Sequence, residues 1–185
     1  MSIDTTKVAV ALSGAISKAP LGATAPTDST TTLAAAFVDS GAIGGDGVTL
    51  AMPGAGDVTP VKAWQGGLTV RTLRTTSDDL PSLNFVFLES NKTAVETYFE
   101  TTVTQTATNG SFTYNATIPT AKAYILDVID GANTSRYYIP RGVRAEVGDL
   151  VFKNDEPIGY EVTLEMEFDA TITGNFKSWQ TVLKT

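Results

Sequence analysis

Polar and apolar residues alternate with a period of two through much of this chain, and only one stretch shifts to a helical period. The clearest alternation runs from Tyr160 to Asp169. Tyr160, Val162, Leu164, Met166 and Phe168 share one face, while Glu161, Thr163, Glu165, Glu167 and Asp169 share the other. That pattern predicts a half-buried strand. Phe112, Tyr114, Ala116 and Ile118 alternate with Ser111, Thr113, Asn115 and Thr117 and predict another. Leu83–Leu88 is apolar on nearly both faces and reads as a central strand. Ala123–Ile129 and Arg136–Ile139 read as strands around the turn residues Asp130, Gly131, Ala132 and Asn133.

The N-terminal half is richer in punctuation. Thr5–Ser17 favours an extended segment ending near Pro20, and Ala23–Thr32 has nothing large to bury and reads as a solvated loop. Phe37–Ile43 and Gly47–Met52 read as short strands, divided by a hairpin turn at Gly44, Gly45, Asp46 and Gly47. A glycine loop that cradles phosphate would lead into a helix opening with Lys and Ser or Thr. Here the chain returns to the strand-like Val48, Thr49 and Leu50, so the turn reading is preferred. Pro53–Gly67 reads as a long loop with Trp64 in its middle, followed by a strand at Leu68–Leu73. A large aromatic in such a loop either tucks back onto its own core, the expectation for a free monomer, or anchors an interface.

The one helical stretch starts at Ser90 or Asn91 as N-cap and runs from Lys92 to Glu100. Ala94, Val95, Tyr98 and Phe99 form its packing face. The elements sum to about eight strands and one short flanking helix, with no βαβ alternation. The expected fold is therefore an all-β sandwich or partly open barrel, in one domain spanning residues 1–185.

Composition narrows the function. With 42% hydrophobic and 18% charged residues the chain should fold. A net charge of −7 argues against gripping nucleic acid, because phosphate contacts need clustered Lys and Arg. Histidine and cysteine are both absent, which removes the commonest general base, thiol nucleophiles and the usual zinc ligands. No catalytic residue, metal ligand or cofactor is expected. Val8–Leu12 is the only apolar run near the N-terminus and is too short for a secretory core or a membrane span, so the expectation is synthesis in the cytoplasm of the cell that makes it and no membrane association.

One pattern invites an enzymatic alternative. Carboxylates at alternate positions of the 160–169 strand stand about 6.6 Å apart, which overlaps the spacing of an inverting glycosidase. A glycosidase pair faces across a cleft and needs one carboxyl with a raised pKa, whereas neighbours on an open strand face are ordinarily just solvated. The solvated reading is preferred.

Several segments, in order, carry a resemblance. They are GAISKAPLGATAP at Gly14–Pro26, FVDSGAIGGDGVTL at Phe37–Leu50, VKAWQGGLTVRTL at Val61–Leu73, FVFLESNKTAVETYF at Phe85–Phe99, and RYYIPRGVRAEVGDLVFKNDEPIGYEVTLEMEFD at Arg136–Asp169. Together they span nearly the whole chain, which resembles the tail tube, or major tail, proteins of phages with long non-contractile tails. The resemblance implies a structural virion protein, not an enzyme, whose copies join in six-fold rings stacked into a tube. DNA would pass through the lumen without specific binding, and the tape-measure, tail tip and tail terminator proteins would be partners in the virion tail.

The same resemblance implies roles for particular segments. The long loop at about 53–67 would reach an adjacent subunit, with Trp64 as anchor and Val61, Lys62, Gln65, Arg71 and Arg74 as candidate contacts. An N-terminal arm at about 1–35 and a C-terminal arm at about 170–185 would tie rings together. Glu161, Glu165, Glu167 and Asp169 are candidates for an acidic lumen that repels phosphates, although an outward solvent face gives the same alternation. Another β-rich phage ring protein, such as a tail completion or terminator ring, is the main alternative.

Overall fold

A computed structural model describes residues 4–184 of the 185. Along the chain run β1 (Ser13–Ala19), β2 (Val38–Asp39), β3 (Ile43–Ala51), β4 (Val58–Lys62), β5 (Thr69–Arg74) and β6 (Ser82–Phe87). Helix α1 (Lys92–Phe99) follows, then β7 (Thr104–Gln105), β8 (Gly110–Ser111), β9 (Lys122–Asp130), β10 (Asn133–Val147), β11 (Tyr160–Met166) and β12 (Lys177–Gln180). The fold is all-β, as the period-two patterning predicts.

Eight strands form one antiparallel sheet in the order β2-β1-β9-β10-β11-β6-β3, with β12 also on β10. The organising element is β10, which is longer than its sequence pattern suggested. Its first half pairs β9 on one side and, through Ser135–Tyr138, β12 on the other; its second half pairs β11 from Gly142 to Val147. The β9 register slips between Ile139 and Gly142, where Pro140 offers no donor to the ladder, and β10 passes there from one half of the sheet to the other.

The two halves meet on a shared core. Ile16 of β1 and Tyr124 and Leu126 of β9 pack with Leu83, Phe85 and Phe87 of β6 and with Val162, Leu164 and Met166 of β11. Helix α1 adds Ala94 and Tyr98 to the same cluster. Asn91 caps the helix, as the sequence indicates: its side-chain oxygen accepts from Ala94 N at 2.9 Å and its amide donates to Ser40 O at 2.8 Å. The sheet therefore bends over itself as a sandwich without closing into a barrel.

The outer face of β1, β9 and β10 is covered too. Ala19, Ala123, Ile125 and Tyr138 form a second cluster, against which Ala23, Leu33, Phe37, Ile172 and Trp179 pack. The loop at 23–32 is thus not simply solvated. Pro26 and Ser29 are buried, and the Arg136 guanidinium reaches out of the sheet to bond Asp28 O at 3.1 Å and Thr31 O at 2.6 Å. Of the arms expected at 1–35 and 170–185, residues 13–19 are β1 and 177–180 are β12. Residues 1–3 and 185 lie outside the described residues.

Four other expectations give way to the tertiary structure. Gly44–Gly47 do not turn a hairpin: β3 is one strand, and its register against β6 slips between Ile43 and Val48, so the glycines are looped out as a bulge with Gly47 at φ 74°. Of the expected 37–43 strand, Val38–Asp39 pair β1 and Ile43 opens β3 on β6, with the residues between them in no strand. Residues 112–118 form no strand. Phe112 and Tyr114 instead lie against Phe99, with ring centroids 4.8 and 6.2 Å away. Phe168, expected on the buried face, is exposed because β11 ends at Met166 and the chain turns at Asp169, which bridges to Gly174.

Candidate assembly interface

The segment expected as an irregular loop at 53–67 contains a strand. Val58–Lys62 pairs antiparallel with Thr69–Arg74 as a separate two-stranded ribbon, and Gly66 and Gly67, both at positive φ, turn its tip. Pro60 is tolerated because no further strand needs its missing N–H. Every residue of β4 and β5 is exposed, including Val58, Val61, Val70 and Leu73. An isolated ribbon of two strands is marginally stable in water, and both strands of this one are open to solvent.

Trp64 sits at the ribbon's tip and is 98% exposed. The expectation that it tucks back onto its own core is overturned: the ribbon holds it away from the core. Val61, Lys62, Gln65, Arg71 and Arg74 share the ribbon, so the structure brings the candidate contact residues together. Among the described residues none of Lys62, Arg71 and Arg74 belongs to an ion pair. Their charges, on an acidic protein, are left available.

Two strand edges are also open. Among the described residues β3 pairs only β6, and the upper part of β1 pairs only β9, since β2 covers just Ser17 and Lys18. The two edges face each other across a gap of about 330 Å³ lined by residues 11–16 of β1 and its approach and by Ile43, Gly44, Gly45, Gly47 and Val48 of β3. Unpaired edges of this kind are templates for another chain.

The acidic residues of β11 divide. Glu161 and Glu165 stand exposed on the outward face of the β10-β11-β6-β3 half, where the Asn84 amide donates to Glu161 Oε1 at 3.2 Å and to Thr163 Oγ1 at 3.0 Å. Glu167 is instead held by Arg141, whose Nε and Nη2 donate to its Oε2 at 3.1 and 2.9 Å. Asp169 accepts from the Thr171 backbone N–H at 2.8 Å, which holds its carboxyl below the usual range. Glu161 and Glu165 lie on an open sheet face, not across a cleft, so the spacing that overlaps a glycosidase pair has no cleft geometry behind it.

A cavity of about 560 Å³ lies beside α1. Lys18 enters it and donates to Thr97 Oγ1 at 3.0 Å, and desolvation lowers its pKa against the opposing pull of Glu100 and Glu96. Among the described residues no group of three or more acidic side chains is placed to hold a metal ion, and no helix is long and apolar enough to cross a membrane.

Sequence reasoning read turns at Gly148-Asp149 and Asn154-Asp155 but singled out no contact residue on the loop 148–159 between β10 and β11. Val151 and Phe152 project from it, Phe152 74% exposed, while Leu150 and Ile158 anchor it to the core. The signal was present as an apolar pair between two turn signals, Gly148-Asp149 and Asn154-Asp155. A family model described as phage tail tube protein matches residues 1–179. A search of curated proteins gave no match.

Proposed function

Since the chain belongs to the phage tail tube protein family, a structural family and not an enzymatic one, we propose that its copies close into six-fold rings that stack into the tube of a long non-contractile tail. The single observation that carries this reading beyond the family is the ribbon 58–74, whose two strands are exposed at every residue while its tip presents Trp64. Large aromatics anchor interfaces because they bury much area at little entropic cost. The open edges of β1 and β3 support lateral joining, in which neighbouring subunits complete each other's sheets.

In this proposal the outward face with Glu161 and Glu165 lines the lumen, with Glu167 and Asp169 at its border, and repels the phosphates of DNA so that it passes without being held. Residues 4–12 and β12 are the proposed inter-ring ties. Tape-measure, tip and terminator proteins meet the assembled tube, which is built in the host cytoplasm and resides in the virion tail.

Negative-stain electron microscopy of the purified protein tests the reading. Hollow rods with six-fold end views are expected as concentration rises. A monomer that stays monomeric at high concentration, or single rings that never extend, would count against it; the latter would favour a completion ring.

A further inference from the structure

The connections of the β10-β11-β6-β3 half leave from opposite ends of its strands. At one end Ala51 pairs with Ser82 and Ser82 with Glu165, and the chain between β3 and β6 carries the ribbon there. At the other end Ile43 pairs with Phe87 and Phe87 with Tyr160, and the chain between β10 and β11 forms the loop 148–159. Trp64 and Phe152, the two most exposed large aromatics described here, thus belong to opposite ends of one sheet.

Charge divides in the same direction. Residues 58–74 hold Lys62, Arg71 and Arg74 and no carboxylate. Arg71 and Arg74 lie an odd number of positions apart on β5, so both faces of the ribbon are positive. Asp57, Asp78 and Asp79 flank only its base. Residues 146–161 hold Glu146, Asp149, Asp155, Glu156 and Glu161 against the one cation Lys153, which Glu156 already pairs at 3.0 Å. Asp46, in the β3 bulge, and Glu89, ahead of the helix, add to this end. The acidic end is also fixed in shape: the Tyr98 hydroxyl donates to Gly148 O, and Gly148 N donates to Glu161 O at 3.1 Å.

We propose that the ribbon of one copy docks on the 146–161 end of the next copy, with Trp64 against Val151 and Phe152 and with Lys62, Arg71 and Arg74 against Asp149, Asp155 and Glu156. This rests on the tube reading above and deepens it by naming the receiving surface. Donor and receiver do not overlap, so each copy serves as both. A head-to-tail contact of this kind does not close on itself along the strand direction and therefore propagates. It gives the stack a polarity and makes its growth depend on ionic strength, because the charges meet from solvent.

The chain has no cysteine, which permits a clean crosslinking test. Trp64→Cys protein mixed with Phe152→Cys protein and oxidised with diamide should give a mixed disulfide dimer, and the double variant a ladder of oligomers. In parallel, Lys62→Glu, Arg71→Glu and Arg74→Glu together should cut tube growth at least about tenfold, and adding Asp149→Lys, Asp155→Lys and Glu156→Lys should restore it. Circular dichroism checks that each variant is folded, and the cysteine pair decides the matter if a charge variant is not. If wild-type protein forms tubes yet the cysteines do not join and the charge variant still assembles, the docking surface is wrong while the tube reading stands. If wild-type protein forms no tubes at any ionic strength, the tube reading fails and takes this inference with it.

Discussion

Arg136 and Asp127 face each other across the β9–β10 ladder as a two-pronged pair, Nε to Oδ1 at 2.6 Å and Nη2 to Oδ2 at 3.0 Å. The guanidinium is nearly buried, and its third nitrogen, Nη1, donates to the carbonyls of Asp28 and Thr31. One side chain thereby ties the sheet to the segment that covers its outer face.

Removing that side chain should be costly, because it leaves a half-buried carboxylate and two carbonyls without their partner. Arg136→Met is expected to destabilise the monomer by about 3 kcal/mol. Urea unfolding measures the loss, and hydrogen exchange should show residues 26–31 opening before the sheet does.

Trp64→Ala should behave in the opposite way. The ring is almost wholly exposed in its own subunit, so monomer stability should stay within about 0.5 kcal/mol of wild type. Loss of an interface anchor is expected to weaken assembly by about 2 kcal/mol per contact, read as a rise of roughly thirtyfold in the critical concentration for rods.

Gly142 marks the place where β10 changes partners, and a Cβ there would lie 2.6 Å from Tyr124 Cδ2 and 3.0 Å from Cε2. Tyr124 is buried and has no room to retreat. Gly142→Ala should therefore cost about 1–3 kcal/mol, and a thermal melt of the folded monomer checks it.

Alkaline pH should unfold the protein through its tyrosines. Burial raises the hydroxyls of Tyr124, Tyr98 and Tyr138 above the ordinary value of 10.0. The folded state then keeps protons that the unfolded chain releases, so stability is fully present below pH 10.0 and falls as pH rises beyond it. Lys18, lowered by desolvation, acts with the opposite sign: the cost of burying its charge is relieved as pH rises through its folded pKa toward 10.5. Unfolding midpoints against pH, with tyrosinate absorbance followed in parallel, should fall more shallowly above pH 10.0 for Tyr124→Phe.

The sequence was legible wherever the local pattern and the final environment agree. The alternation at 160–166 becomes a strand with Val162, Leu164 and Met166 buried, and Asn91 caps its helix, because a period and a cap are properties of neighbouring residues. The alternation at 112–118 is as regular, yet the segment joins no strand, and its aromatics settle on Phe99. Gly44–Gly47 likewise reads as a turn until β6, far along the chain, offers a partner for both flanks.

The amino-acid order alone settled the class of fold, the single helix and the absence of histidine and thiol chemistry, since these follow from composition and short-range periodicity. Only tertiary structure decided which edges stay unpaired, that the 58–74 ribbon stands off the body, and that basic and acidic ends oppose each other. Those are relations between segments distant in sequence, fixed by which strands find each other and by which apolar faces are left without cover.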